Sequence, residues 1–228
     1  MILFLRTNPN FRIFWEKTMT KRLMLLRHAK SSWKDKHLKD FDRPLKKKGE
    51  ETAELIGKIL AHDGYLPDLI LSSPAKRASQ TTEIVHKYSG LKGSTQFVEA
   101  FYMAEPGEYI QALRELPDSV NSVMVVGHNP GLEALLQMLE GKVNALSTGA
   151  LAILELELTN WSDLNASTVG KLSKFWDPDE MDLKEIEEKM AKDKKEKEEK
   201  VKEEKVKEKK DKKEKKGKKE KKEKKDKK

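Results

Sequence analysis

Two short apolar runs constrain this chain more than anything else in it. Leu23-Met24-Leu25-Leu26 is followed at once by Arg27-His28, and Val123-Met124-Val125-Val126 by Gly127-His128. Apolar runs this short, bounded by turn signals, read as strands buried on both faces, as in a parallel sheet. In open α/β sheets ligands collect just beyond the carboxyl ends of such strands. Both histidines therefore fall where a site forms. Between them, Leu71-Ser72-Ser73-Pro74-Ala75-Lys76-Arg77-Ala78-Ser79-Gln80-Thr81 brings a further arginine to the same kind of place. Two histidines and two arginines on one rim would make a cationic pocket with a nucleophile in it, suited to a phosphoryl group.

The remaining pattern alternates. A helix is expected over residues 48–62, a strand over 69–71, and a helix from Ser73 as N-cap, with Pro74 at its first position, to about 88. A short strand over 96–98, a helix over 107–116 and a strand over 122–126 follow. Asn129 reads as the cap of a helix that has Pro130 at its first position and runs to about 139. Residues 150–158 alternate as a strand at or near an edge, and 169–175 read as another. Strands alternating with helices define an α/β fold: a single three-layer α/β/α domain with a mostly parallel sheet, over residues 21–178. Residues 1–20 read as a disordered extension. Their apolar stretch is short, and no small-residue cleavage site follows it.

Charge divides the chain. The whole carries 47 Lys and Arg against 39 Asp and Glu, yet residues 191–228 alone hold 22 Lys and 12 acids, a net +10. What precedes them is close to −2, so the basic character belongs to the tail and implies no nucleic-acid function for the domain. Residues 179–228 read as a Lys/Glu-rich tail, too poor in apolar residues to offset its ordering entropy, either disordered or a solvated helix. Interleaved acids and the lack of aromatics after 190 make weak polyanion binding the most to expect of it. With no cysteine there are no disulfides, no thiolate zinc site and no cysteine nucleophile. That fits a reducing compartment, and we expect a cytoplasmic protein. No apolar stretch approaches the ~18 residues of a membrane span.

Taken together, Arg27-His28-Ala29-Lys30-Ser31-Ser32-Trp33, Asp42-Arg43-Pro44-Leu45 with Gly49, Ser72-Ser73-Pro74-Ala75-x-Arg77-Ala78-x-Gln80-Thr81 and Val126-Gly127-His128-Asn129-Pro130 resemble the blocks of the histidine phosphatase superfamily. Within it the resemblance is strongest to the small SixA-like phosphohistidine phosphatases, over residues 21–176. It implies a phosphoglycerate mutase-like fold and a phosphatase that needs no metal or other cofactor. It also implies that His28 is the nucleophile, with Arg27, Arg77 and His128 catalytic and holding the phosphoryl oxygens, Arg43 assisting. The substrate implied is phosphohistidine in a protein; a small metabolite or sugar phosphate is the alternative. A non-catalytic protein acting through its basic tail is a third reading. Neutral imidazole is a competent nucleophile, and guanidinium holds phosphate through a bidentate, always charged fork.

The chain departs from the family where many members carry an acid that protonates the leaving group. Met103 follows Phe101-Tyr102, leaving Glu99 or Glu105 as proton donor, with Glu108 close by. Lys46 stands where a helix-capping Thr is common. Asp40-Phe41-Asp42 has the look of a metal-binding pair, but no apolar strand precedes it, and His37, His62 and His86 lack ligand spacing. A chain ending at Asp179 should keep its turnover of a small phosphate ester and lose most of its retention on a cation exchanger. A tenfold loss of turnover in the folded, shortened chain would make the tail part of the enzyme.

Overall fold

The computed structural model describes residues 20–142 and 145–181, with further helical backbone at Ile186, residues 188–193 and 195–196, and Glu199. The expected extension lies, Thr20 apart, outside the described residues, as does the tail from 201 onward. The chain divides into two compact units, Met1–Glu180 and Met181–Lys228. In the first unit the elements run β1 (Lys21–Arg27), α1 (Lys47–Asp63), β2 (Leu69–Ser72), α2 (Lys76–Ser89), β3 (Ser94–Phe97), α3 (Pro106–Arg114), β4 (Ser122–Gly127), α4 (Gly131–Glu140), β5 (Leu151–Leu156) and β6 (Gly170–Trp176). The six strands form one sheet in the order β3-β2-β4-β1-β5-β6. The first four are mutually parallel, while β5 pairs antiparallel with β1 and β6 antiparallel with β5. Helices cover both faces.

The central strands alternate between two layers, as the two-residue period of a strand requires. Leu23 and Leu25, Leu69 and Leu71, Val123 and Val125, and Ala152 and Leu154 share one core with Tyr109 and Leu113 of α3 and Leu132, Leu135, Leu136 and Leu139 of α4. Their strand neighbours Met24, Leu26, Ile70, Met124 and Val126 are equally buried on the other face. There α1 and α2 pack closely: a Cβ on Gly57 would come within 2.9 Å of the Tyr88 Cβ. Lys21 is buried as well, its Nζ donating to the Asp118 and Val120 carbonyls at 2.8 and 2.9 Å.

Three expected helix starts differ in detail. The helix after Ser73 begins at Lys76, and its cap position is Ala75, without a side-chain hydrogen bond. The helix after Asn129 begins at Gly131, with Pro130 at the cap position and a cis Asn129–Pro130 bond. Ser73 Oγ still accepts the Ala75 N–H at 3.3 Å but also faces His128 Nε2, while Asn129 Nδ2 donates to the Leu146 carbonyl. Lys46 caps α1 through its backbone alone, its carbonyl accepting from Gly49 and Glu50.

Gly49 marks a close approach. A Cβ there would fall 2.3 Å from the Lys30 carbonyl oxygen, which already accepts the Lys46 N–H at 2.8 Å. The first turn of α1 is thus held against the chain leaving β1. Gly49→Ala should cost about 1–3 kcal/mol, the usual penalty for forcing atoms into packed backbone, read as a lower urea midpoint at unchanged m-value.

Candidate active site

Strand register assembles the site. Arg27 pairs with Gly127 across β1 and β4, and Ser72 with Val126 across β2 and β4. The residues that follow, His28, His128 and Ser73, therefore emerge side by side at one edge. The His28 N–H donates to the Gly127 carbonyl at 3.1 Å and the Ser73 N–H to that of Val126 at 2.9 Å. The two imidazole centroids lie 5.0 Å apart. Gly127 has no Cβ where one would meet the Tyr109 hydroxyl at 2.4 Å, and that hydroxyl accepts the His128 N–H at 3.5 Å.

Each imidazole is oriented. His28 Nδ1 lies 2.8 Å from the Ala29 carbonyl, an acceptor that keeps the proton on this nitrogen. Its Nε2 is thereby left with a free lone pair, and Arg77 Nε donates to it at 3.1 Å. His128 Nε2 lies 2.9 Å from Ser73 Oγ, while its buried Nδ1 has no hydrogen-bond partner among the described residues. Burial, reinforced by Arg77 and Arg27, lowers the His28 pKa to about 4 against the pull of the Ala29 hydrogen bond. Burial and then Arg77 lower that of His128 to about 3. Both rings are neutral at pH 7.

The arginines divide into two sets. Arg27 Nη1 donates to the Leu146 carbonyl at 2.6 Å, and its buried Nε has no hydrogen-bond partner among the described residues. The same carbonyl accepts Asn129 Nδ2 at 2.9 Å, and the Leu146 N–H donates to Glu133 Oε1 at 2.8 Å. Arg77, besides facing His28, donates to the Asp40 carbonyl at 2.7 Å and to Asp40 Oδ2 at 3.0 Å. Arg43 stands behind Asp40. Its Nε donates to the Ser32 carbonyl, Nη1 to Asp40 Oδ1 at 2.6 Å and Nη2 to Ser31 Oγ. With all three nitrogens occupied, Arg43 positions Asp40 and makes no hydrogen bond to either histidine.

Asp40 is the residue that sequence reasoning missed. Asp42, the acid included in the Asp42-Arg43-Pro44-Leu45 block, is exposed. Asp40, three residues before Arg43, instead accepts from Arg43, Arg77 and the Tyr102 hydroxyl. Burial works against ionisation of Asp40, yet the hydrogen bonds from Arg43 and Tyr102 and the charge of Arg77 hold its carboxyl below the usual range. Tyr102 also sets its ring edge-on to His128, at 5.8 Å between centroids. Two motif residues act as ties. Thr81 Oγ1 accepts the Ala29 N–H and donates to the Arg77 carbonyl, and Gln80 Oε1 accepts the Leu45 N–H.

Neither expected proton donor is brought to the histidines by a hydrogen bond. Glu99 is exposed in the 3₁₀ turn Glu99–Phe101. Glu105 caps α3 reciprocally with Glu108, whose carboxylate accepts the Glu105 N–H at 2.9 Å. Among the described residues no group of three His, Asp or Glu side chains is arranged to hold a metal ion.

A neutral imidazole with a fixed tautomer, a second imidazole, the buried Arg77 guanidinium and the half-buried Arg27 guanidinium form an arrangement that could hold a tetrahedral oxyanion. The family model for the histidine phosphatase superfamily (branch 1) matches residues 23–101. A chloroplastic, uncharacterized protein of Arabidopsis thaliana is 36% identical over 169 residues, spanning 70% of this chain and 77% of that one. The structure of a candidate phosphohistidine phosphatase SixA from Agrobacterium tumefaciens is 33% identical, with a TM-score of 0.60, over 69% of this chain and 98% of that one. A protein histidine phosphatase SixA complexed with tungstate shares the fold, with a TM-score of 0.59 and 24% identity over 69% of this chain and 97% of that one. The chain belongs to the histidine phosphatase superfamily. Its fold and family make it a SixA-like phosphatase, a hydrolase, and no helix among the described residues is long and apolar enough to cross a membrane.

The depressed histidines tie stability to pH. Unfolded imidazole binds its proton near 6.5, whereas the folded rings do so only near 4 and 3. Lowering the pH from about 6.5 therefore favours the unfolded state, and the contribution is lost as pH falls through the folded values. Imidazole resonances followed by NMR should show two rings titrating below pH 5. Added phosphate should raise at least the His128 value and restore part of the stability lost at low pH.

Proposed function

We propose that the protein hydrolyses phosphohistidine in proteins through a covalent intermediate on His28. Nε2 attacks phosphorus and forms a P–N bond as the substrate's P–N bond breaks. The departing imidazole takes its proton from solvent. Water then attacks the phosphoryl group on His28, releasing inorganic phosphate and the free imidazole. This division replaces one hard displacement by two easier ones.

The observation that carries the reading is the pair of bonds on His28, Nδ1 to the Ala29 carbonyl and Nε2 facing Arg77. They present a neutral ring with its lone pair toward a fixed cation. As the phosphoryl group arrives, the unpartnered Arg27 Nε and His128 Nδ1 offer further polar atoms to its oxygens. His128, neutral when the site is free, gains a proton beside a bound dianion and becomes a donor to the developing charge. The preference for a phosphoramidate over an alkyl phosphate follows from the donors. With Glu105 held in a helix cap and Glu99 exposed, the reading has no carboxylic acid aimed at a leaving alkoxide, and imidazole needs such help least. A reducing compartment suits a chain without cysteine, and we propose the cytoplasm.

Phosphohistidine proteins, phosphoserine peptides and sugar phosphates should be assayed side by side, with phosphohistidine turned over best. His28→Ala should abolish turnover, and quenching wild type without acid should trap phosphate on His28. Arg77→Lys should lose about 10²–10³ in turnover, because an ammonium cannot face His28 and Asp40 together. Full activity in His28→Ala would overturn the mechanism, and faster turnover of sugar phosphates the substrate.

A further inference from the structure

Residues 30–39 leave the site at one end and return to it at the other. Ala29, tied to Thr81, precedes them, and Asp40, tied to Arg77, follows. The base of the loop is closed by the Ser32 N–H to the Pro44 carbonyl and the Lys46 N–H to that of Lys30, both at 2.8 Å. The loop is therefore a rim of the pocket. It holds Lys30, Lys34, Lys36 and Lys39, all exposed, against a single acid, Asp35. Asp35 is already engaged in accepting the His37 N–H at 2.9 Å. A net +3 on ten residues stands out on a body close to −2.

Large apolar side chains lie on the same rim. Trp33 is 69% exposed although its ring lies under the Arg43 guanidinium, 3.1 Å from the centroid. Leu38, in the same loop, is 39% exposed. Across Asp40, the chain after Tyr102 turns through Met103 at φ 55, a left-handed conformation unusual for such a residue, and leaves that side chain 58% exposed. Tryptophan, methionine and arginine are enriched where proteins meet. Trp33 is linked to His28 through Arg43, Asp40 and Arg77 in turn. A small phosphate seated on His28 leaves this rim unused.

We infer that the loop of residues 30–39, with Met103 opposite, is a docking surface for an acidic face of the substrate protein around its phosphorylated side chain. This rests on the phosphatase reading above and adds what selects the substrate. Lysines attract and orient the acidic face, and Trp33 and Met103 seat it.

The test uses the full chain and two peptides carrying a non-hydrolysable phosphohistidine analogue, one flanked by Asp and Glu, the other by Ser and Gly. Calorimetry measures the binding that orthovanadate displaces, which sets aside association with the tail. The acidic peptide should bind about tenfold tighter than the neutral one at low salt. Lys34→Glu/Lys36→Glu should bring that ratio close to one and leave the affinity for orthovanadate itself unchanged. Trp33→Ala should weaken the acidic peptide severalfold. Equal binding of the two peptides by wild type overturns the inference, as does a ratio that survives the double charge reversal. Tighter orthovanadate-displaceable binding of a single-stranded oligonucleotide than of the acidic peptide overturns it too. The same pair built on phosphoserine separates the two readings. If phosphoserine binds as well as the analogue, the substrate assignment fails, while the ratio of acidic to neutral still decides the docking surface.

Discussion

Everything at the site depends on the in-register parallel pairing of β1 with β4. Because Arg27 lies opposite Gly127, the next residue on each strand is a histidine, and the two rings meet without a loop having to carry either. A slip of one residue would turn one ring to the opposite face of the sheet. The register is set by alternating apolar side chains buried in two separate cores, one under α3 and α4, the other under α1 and α2. The energy that fixes the chemistry is thus ordinary hydrophobic burial along Leu23–Leu26 and Val123–Val126, several ångströms from the reacting atoms. Tyr109 belongs to both layers of the argument. Its ring packs in the core while its hydroxyl, for which Gly127 leaves room, accepts the His128 amide.

Around this frame the polar network is cooperative. Asp40 is shared by two guanidiniums and a phenol, and Arg77 is shared by Asp40 and His28. A carboxylate between two arginines keeps both in place before any substrate arrives, which reduces the reorganisation required during reaction. The two histidines are depressed first by burial and then by the positive charge of Arg77 and Arg27 beside them. The free site is electrostatically unsatisfied in the sense that suits a dianion.

Much of this was legible in the sequence, for identifiable reasons. Period and turn chemistry located the ten regular elements to within a few residues, and the strand-end rule located His28, His128 and the segment carrying Arg77. The helix starts misled because the same side chains are good caps and good site ligands. Ser73 and Asn129 have the chemistry to close a helix, and only tertiary packing turned them to His128 and Leu146. Asp40 was hidden by a neighbour of the same type two residues on, and Tyr102 by having no motif of its own. The antiparallel attachment of β5 was equally invisible, since alternation reports a half-buried strand and not its direction. Lys21 was unreadable too, because the three acceptors that satisfy its buried ammonium come from a loop about a hundred residues away.

The closed base of the rim loop bears on how such a fold can diversify. The ties between Ser32 and Pro44, Lys30 and Lys46, and Leu45 and Gln80 hold its two roots together independently of what lies between them. Once the roots are fixed, lengthening a loop is cheap: doubling its length adds only about 0.6 kcal/mol of closure entropy. Insertions, deletions and changes of charge between these roots can accumulate while the rings and guanidiniums below keep their spacing. The architecture thus separates the spacing of the rings and guanidiniums from the composition of the loop above them, so that one stretch of surface is free to be rewritten without disturbing the geometry beneath it.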